Sequence, residues 1–101
     1  MNQVNPHYAN FNKLLEHRSR LAICALLTKH DQLSFKRFKE LLGETDGNLG
    51  AQLRKLEDAN YLTVSKEYNG RKPVSWYVIT TLGKSELKKH LRALQGLTEF
   101  L

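Results

Sequence analysis

Six cations in three consecutive segments carry the most direct chemistry of this sequence: Lys36 and Arg37, then Arg54 and Lys55, then Arg71 and Lys72. Lys and Arg gathered on one surface suit a polyanion, because each phosphate neutralised releases condensed counterions and adds affinity at any base sequence. Between the first two pairs lies a run of small and polar residues that includes Thr45, Gly47, Asn48, Gly50 and Ala51. The Asn48 amide offers a donor beside an acceptor, the pattern that pairs with an adenine edge, and Arg54 can fork onto guanine or onto a phosphate. Gly50 and Ala51 lack bulk, which suits either a close approach to a groove floor or thymine methyl, or the packing of another helix. In either case the pair lowers helix propensity by roughly 1 kcal/mol, mostly through Gly50. For any one cation the alternative is an ordinary solvated side chain, and it is the trend shared by three segments that favours a common partner.

The totals point the same way. With 16 Lys+Arg against 10 Asp+Glu, the 101 residues carry a formal charge of +6 and a pI of about 9.6. Such a field steers phosphates toward the surface, and a chain of this length forms one domain, 1–101. Cys24 stands alone, which excludes an intramolecular disulfide framework or a multi-thiolate metal site and makes a reducing cytoplasm the expected compartment. Residues 1–10 have neither a cationic start nor an apolar core, and no run of about 18 apolar residues follows, so neither a signal peptide nor a membrane span is expected. His7, His17, His30 and His90 show no i, i+4 pairing and no companion cysteines, which reads as scattered surface histidines without a metal or other cofactor. There is no glycine-rich phosphate loop, nucleophile elbow or convergent carboxylate pair, so the sequence reads as a binding protein and not an enzyme.

Several helices and a hairpin must position these groups. Phe11, Leu14 and Leu15 at helical spacing predict a short amphipathic helix beginning near Asn10. From Ser19 as N-cap, Arg20 to Leu27 is apolar nearly all round, as in a buried helix; Cys24 is then a small buried hydrophobe. Ser34 caps a helix whose stripe is Phe35, Phe38, Leu41 and Leu42, and Gly43 stops it. Thr45 or Asp46 starts a third helix, about 46–60, that buries Leu49, Leu53 and Leu56 and leaves Gly47, Asn48, Gly50, Ala51, Arg54 and Lys55 on its free face. Tyr61–Val64 and Ser75–Thr80 read as strands joined through the turn signal Asn69-Gly70 and Pro73, a hairpin with a basic tip at about 69–73. Trp76 and Val78 alternate with Tyr77 and Ile79 across its two faces. Thr80 or Thr81 caps a last helix with a seam of Leu87, Leu91, Leu94, Thr98 and Leu101, frayed at Gly96.

Helix, helix, helix and hairpin in this order resemble the small winged-helix transcriptional regulators grouped with the MarR and ArsR classes, over roughly residues 11–95. The resemblance rests on three stretches. His17-Arg18-Ser19-Arg20-Leu21-Ala22-Ile23 is similar to the family's His-x-x-Arg-Leu-Ala-Ile opening. Asp46-Gly47-Asn48-Leu49 precedes Leu53-Arg54-Lys55-Leu56-Glu57, and Gly70-Arg71-Lys72-Pro73 leads to Tyr77, Ile79-Thr80 and Gly83. The resemblance implies a mainly α fold with a small β-hairpin wing, an α+β winged helix-turn-helix. It further implies a homodimeric regulator of double-stranded DNA whose third helix reads the major groove while the wing follows the backbone or minor groove. It places Tyr77 and Ile79 inside. Family members often carry Ser-Ser where this chain has Gly50-Ala51, so side-chain hydrogen bonds are missing from that part of the reading face.

The expected dimer interface combines Phe11, Leu14 and Leu15 of the N-terminal segment with Leu87, Leu91 and Leu94 of the last helix, apolar positions beyond what so small a core needs. The competing reading is a winged helix used as a protein-interaction module, its charged face docking an acidic partner. A small-molecule effector at the dimer interface is a third reading, and no distinct sensor segment argues for it.

Overall fold

The computed structural model describes residues 8–101, so His7 lies outside the described residues. Its centre is α1 (Arg18–Lys29), which buries Ile23, Cys24 and Leu27 among Leu49, Leu53 and Leu56 of α3 and Phe38 of α2. Ser19 is not its cap. His17 takes that place, its Nδ1 accepting the Ser19 N–H at 3.2 Å, while Ser19 is buried in the first turn and donates its hydroxyl to Glu44. A ring nitrogen satisfies an orphan helix N–H as an oxygen does, which frees the serine to bond a different element.

Ahead of α1, two 3-10 turns, Tyr8–Asn10 and Lys13–Leu15, replace the expected amphipathic α-helix. Asn12 separates them. Its side chain accepts the Leu14 N–H at 2.9 Å and donates to the Tyr61 hydroxyl at 2.7 Å, and its backbone N–H donates to His90 Nδ1 at 2.9 Å. A residue whose N–H and side-chain amide donate to distant elements while its side-chain oxygen caps the next turn interrupts a helical ladder.

The next elements follow their local signals. Ser34 caps α2 (Phe35–Leu42) by accepting the Arg37 N–H, and Gly43 closes that helix at φ +65°. Thr45 caps α3 (Asp46–Asp58) by accepting the Asn48 N–H. Asn60, at φ +64°, ends α3: its N–H reaches the Glu57 carbonyl and the Tyr61 N–H reaches Leu56, each at 2.9 Å. That pair of bonds is the Schellman arrangement, which satisfies two last-turn carbonyls at once.

The hairpin is longer than its apolar runs indicate. β2 (Leu62–Asn69) and β3 (Lys72–Ile79) pair antiparallel from Leu62 opposite Ile79 to Asn69 opposite Lys72. Only Gly70 and Arg71 join them, with Gly70 at φ +69°, the positive angle that primed hairpin turns require at their first central position. Lys72 therefore belongs to the ladder, and Arg71 alone of the two cations sits in the turn. A third strand, β1 (Leu33–Ser34), pairs with β3 at Tyr77 and Trp76, giving the order β1-β3-β2. Pro73 lies beyond the reach of β1, where β3 has an open edge and a missing N–H does no harm. Ile79 is buried and Tyr77 half-buried, with its ring edge-on to Phe38 at 6.0 Å, whereas Val78 is exposed.

Thr80 caps α4 (Thr81–Gly96) by accepting the Gly83 N–H. The buried face of α4 runs through Gly83, Leu87, His90, Ala93 and Gly96, not along the expected seam of Leu87, Leu91, Leu94, Thr98 and Leu101. Gly83 lies against the Tyr61 carbonyl and His90 accepts from Asn12, and the buried stripe turns toward them and away from Leu91. His90 is thus buried at 1% exposure and not a surface histidine, and Gly96 is buried as the last residue of α4. A 3-10 turn, Leu97–Phe100, continues the chain. Among the described residues, no helix is long and apolar enough to cross a membrane. Four helices and a small antiparallel sheet with a projecting hairpin make up the α+β winged helix-turn-helix that the resemblance implied.

Candidate nucleic-acid interface

The outer face of α3 is bare. A Cβ placed on Gly47 or on Gly50 would meet nothing within 4 Å, and Ala51, Arg54 and Lys55 are exposed. Among the described residues no helix is seated on Gly50-Ala51, which leaves a smooth, cation-flanked surface on the single chain. Thr45 is exposed too, with its hydroxyl engaged as the cap of the helix.

The other cations lie on α2 and on the hairpin. Lys36 and Arg37 are exposed at the start of α2, where Arg37 pairs with Glu40 at 3.3 Å. Both partners of that pair are about half exposed, so it is weak and easily exchanged for a phosphate. Lys36 and Lys72 line one groove of about 500 Å³ between the start of α2 and β3, with Phe35, Val74 and Trp76 in its wall. The structure thus brings α2 and the hairpin together at that groove. Burial pushes the Tyr77 phenol up and Glu57 adds to the rise, while the Ser75 side chain and then the Arg54 guanidinium oppose it. Arg71 stands exposed at the tip.

Asn48 is half-buried and held from two sides. Its Nδ2 donates to Glu44 Oε2 at 2.6 Å, and its Oδ1 accepts from Gln52 Nε2 at 3.1 Å. Glu44 also accepts the Ser19 hydroxyl, and these two hydrogen bonds, Ser19 first, hold its carboxyl below the ordinary value of 4.5. Gln52, buried at 6% exposure, accepts from Arg20 Nη1 at 2.6 Å, and Arg20 Nε donates to the Leu14 carbonyl at 2.6 Å. Residue typing alone overlooks Glu44, Gln52, Ser19 and Arg20. The signal for two of them is a spacing, since Glu44, Asn48 and Gln52 stand four apart, with Glu44 just ahead of the cap of α3 and the other two on its face.

The expected dimer residues divide. Leu15 at 0% and Leu87 at 3% exposure fill the core of the single chain, so they are not available to a partner, and their assignment to an interface is corrected. Leu87 reads as surplus by spacing because the buried stripe of α4 turns away from the apolar seam after it. Leu14 is half-buried against that core, and Phe11 stands edge-on to His90 at 5.9 Å. Leu94 is half-buried and Leu91 is 43% exposed.

Comparison with known proteins agrees with this architecture. A transcriptional regulator homologue protein from Pyrococcus horikoshii OT3 is 28% identical, with 85% of each chain covered and a TM-score of 0.79. A putative transcriptional regulator, ytfH from Salmonella typhimurium, is 24% identical over 87% of this chain and 77% of its own, with a TM-score of 0.71. A mutant MarR from E. coli, solved in complex with operator DNA, shares the fold at 14% identity and a TM-score of 0.67, covering 87% of this chain and 65% of that one. The comparison with curated proteins returns no match. The model of the winged helix DNA-binding domain matches residues 19–98, and with that span, fold and outer α3 face the chain belongs to the winged helix DNA-binding domain family.

Proposed function

We propose that this protein is a homodimeric transcriptional regulator that binds double-stranded DNA with sequence preference and performs no catalysis. In this reading α3 enters the major groove, and the β2–β3 hairpin lies along the backbone or minor groove. The observation that carries it is the outer face of α3, where two glycines and an alanine stand beside Arg54 and Lys55 with, among the described residues, no other element packed on them. Small residues let the helix backbone approach base edges, and the flanking cations neutralise the phosphates on either side. Arg54, Lys55, Lys36, Arg37, Arg71 and Lys72 supply charge, and Asn48 reads a base.

The second copy is placed on the α4 side, where Leu91, Leu97, Phe100 and Leu101 are exposed next to half-buried Phe11, Leu14 and Leu94. Two-fold symmetry then sets two α3 helices about one turn of duplex apart and calls for a palindromic site. The cytoplasm is the compartment in this reading. Selection of bound fragments from a random duplex library, together with light scattering at micromolar protein, tests both parts. Enriched inverted repeats and a dimeric mass support the proposal. No retention of duplex DNA at low salt would overturn it in favour of a protein-interaction module, and a monomeric mass would remove the dimer.

A further inference from the structure

Donor and acceptor chemistry fixes which way the Asn48 amide points. At one end of its chain of bonds stands Arg20, whose guanidinium can only donate, so Gln52 must turn its Oε1 toward Arg20 and its Nε2 toward Asn48. Asn48 must then present Oδ1 to Gln52. At the other end stands Glu44, ionised and able only to accept, so Asn48 must present Nδ2 to it. Both ends impose the same sense, and Ser19 and the Leu14 carbonyl anchor the two end groups in turn.

An amide has two N–H groups and two lone pairs on its oxygen. Glu44 and Gln52 engage one of each, which leaves one N–H and one lone pair on a half-exposed side chain near the start of α3. One donor and one acceptor are what the N7 and N6 groups of an adenine require.

We infer that Glu44 is a positioning residue for base recognition: with Gln52 it holds the Asn48 amide in one sense, so that α3 meets the duplex already set for adenine. This rests on the DNA-binding reading given above. Released from the clamp, the amide turns over freely and its preference spreads across bases. Glu44 has a second effect, because its negative charge beside the groove lowers affinity for every duplex alike.

Fragment selection with the full chain and four variants tests this, with a urea melt on each protein. Asn48→Ala is expected to lose about tenfold in preference for adenine over the other bases at one position of each half-site. Glu44→Ala is expected to lose the same preference at the same position while binding random duplex more tightly than wild type. Glu44→Gln keeps an acceptor for Asn48 and should bind random duplex more tightly yet retain the preference. Gln52→Met removes the other hand of the clamp at similar volume and should behave like Glu44→Ala in preference, which keeps the test open if one variant does not fold. Preference unchanged in Glu44→Ala and Gln52→Met, or lost equally in Glu44→Gln, overturns the inference. So does an Asn48→Ala protein that still prefers adenine. Wild-type protein that fails to retain any duplex at low salt overturns the DNA-binding reading itself, an outcome distinct from these.

Discussion

Gly83, in the first turn of α4, lies directly against the Tyr61 carbonyl. A Cβ there would overlap that oxygen and come within 2.8 Å of Ile79 Cγ1. The same carbonyl accepts the Thr80 N–H at 2.9 Å, while the Thr80 hydroxyl donates to the Asn60 carbonyl at 2.7 Å and lies 3.1 Å from that of Tyr61, so moving the Tyr61 carbonyl aside costs the hydrogen bond that ties the start of α4 to it. Gly83→Ala should therefore destabilise the fold by roughly 1–3 kcal/mol, the range of overpacking in a tight site. A lower urea midpoint at unchanged m-value checks it.

Gly50 gives the opposite expectation. It is helical, and an added methyl would meet open space. Gly50→Ala should stabilise the protein by roughly 0.5–1 kcal/mol through the unfolded chain's lost freedom. If the duplex approaches this face as proposed, the same methyl weakens DNA binding. A variant that melts later and binds worse separates the two effects in one protein.

The wing cations act without regard to base sequence. A dimer making about eight phosphate contacts should show a log-log salt slope near −7. Replacing Arg71 and Lys72 together with Ala should flatten that slope by roughly 3 to 4 and weaken specific and random duplexes in parallel. Titration of binding against salt reads both quantities.

Acid should open the clamp on Asn48. The Glu44 carboxyl is lowered from 4.5 by the Ser19 hydroxyl first and the Asn48 amide second. A depressed carboxylate stabilises the folded state above its unfolded value, and that contribution disappears as pH falls through the folded value. The Asn48 side-chain NH2 resonances should be constant from neutral pH down to about 5 and move only below the ordinary carboxylate range. A shift centred between pH 6 and 7 would contradict the assignment.

Burial pushes the Cys24 thiol up to about 12. Thiolate is the reacting species, so the folded protein should resist iodoacetamide at pH 8 and react promptly in denaturant. Mass spectrometry of the alkylated chain distinguishes the two states.

What was legible in the sequence was local. Ser34, Thr45, Thr80 and Gly43 declare helix boundaries because a cap bonds to a backbone group within a few residues, and Asn69-Gly70 does the same for the hairpin. Leu49, Leu53 and Leu56 declare a face by spacing, and all three are buried. Features that depend on distant partners were not readable. Leu33–Ser34 is too short for a periodicity of its own, and its pairing with β3 is decided more than 40 residues away. Lys66, Glu67 and Lys72 lengthen the ladder although neither strand face is apolar there, so composition ends the strands too early. His90 is buried because Asn12, across the chain, donates to it, and Ser19 is buried because Glu44 accepts from it. For the reading face, the exposed cations and small residues follow from residue type, but the restraint on Asn48 depends on Arg20 and Ser19 of another helix.

The join of Gly70 and Arg71 between two fully paired strands fixes the parity of the whole arm. Side chains alternate strictly along β3, and its core end is pinned by Tyr77 and Ile79. One residue inserted between Val74 and Ser75 would reverse the faces of Lys72, Pro73 and Val74 and so rearrange the wall they build beside Lys36. Length changes in this arm are thereby restricted to pairs of residues within a strand, or to the tip itself.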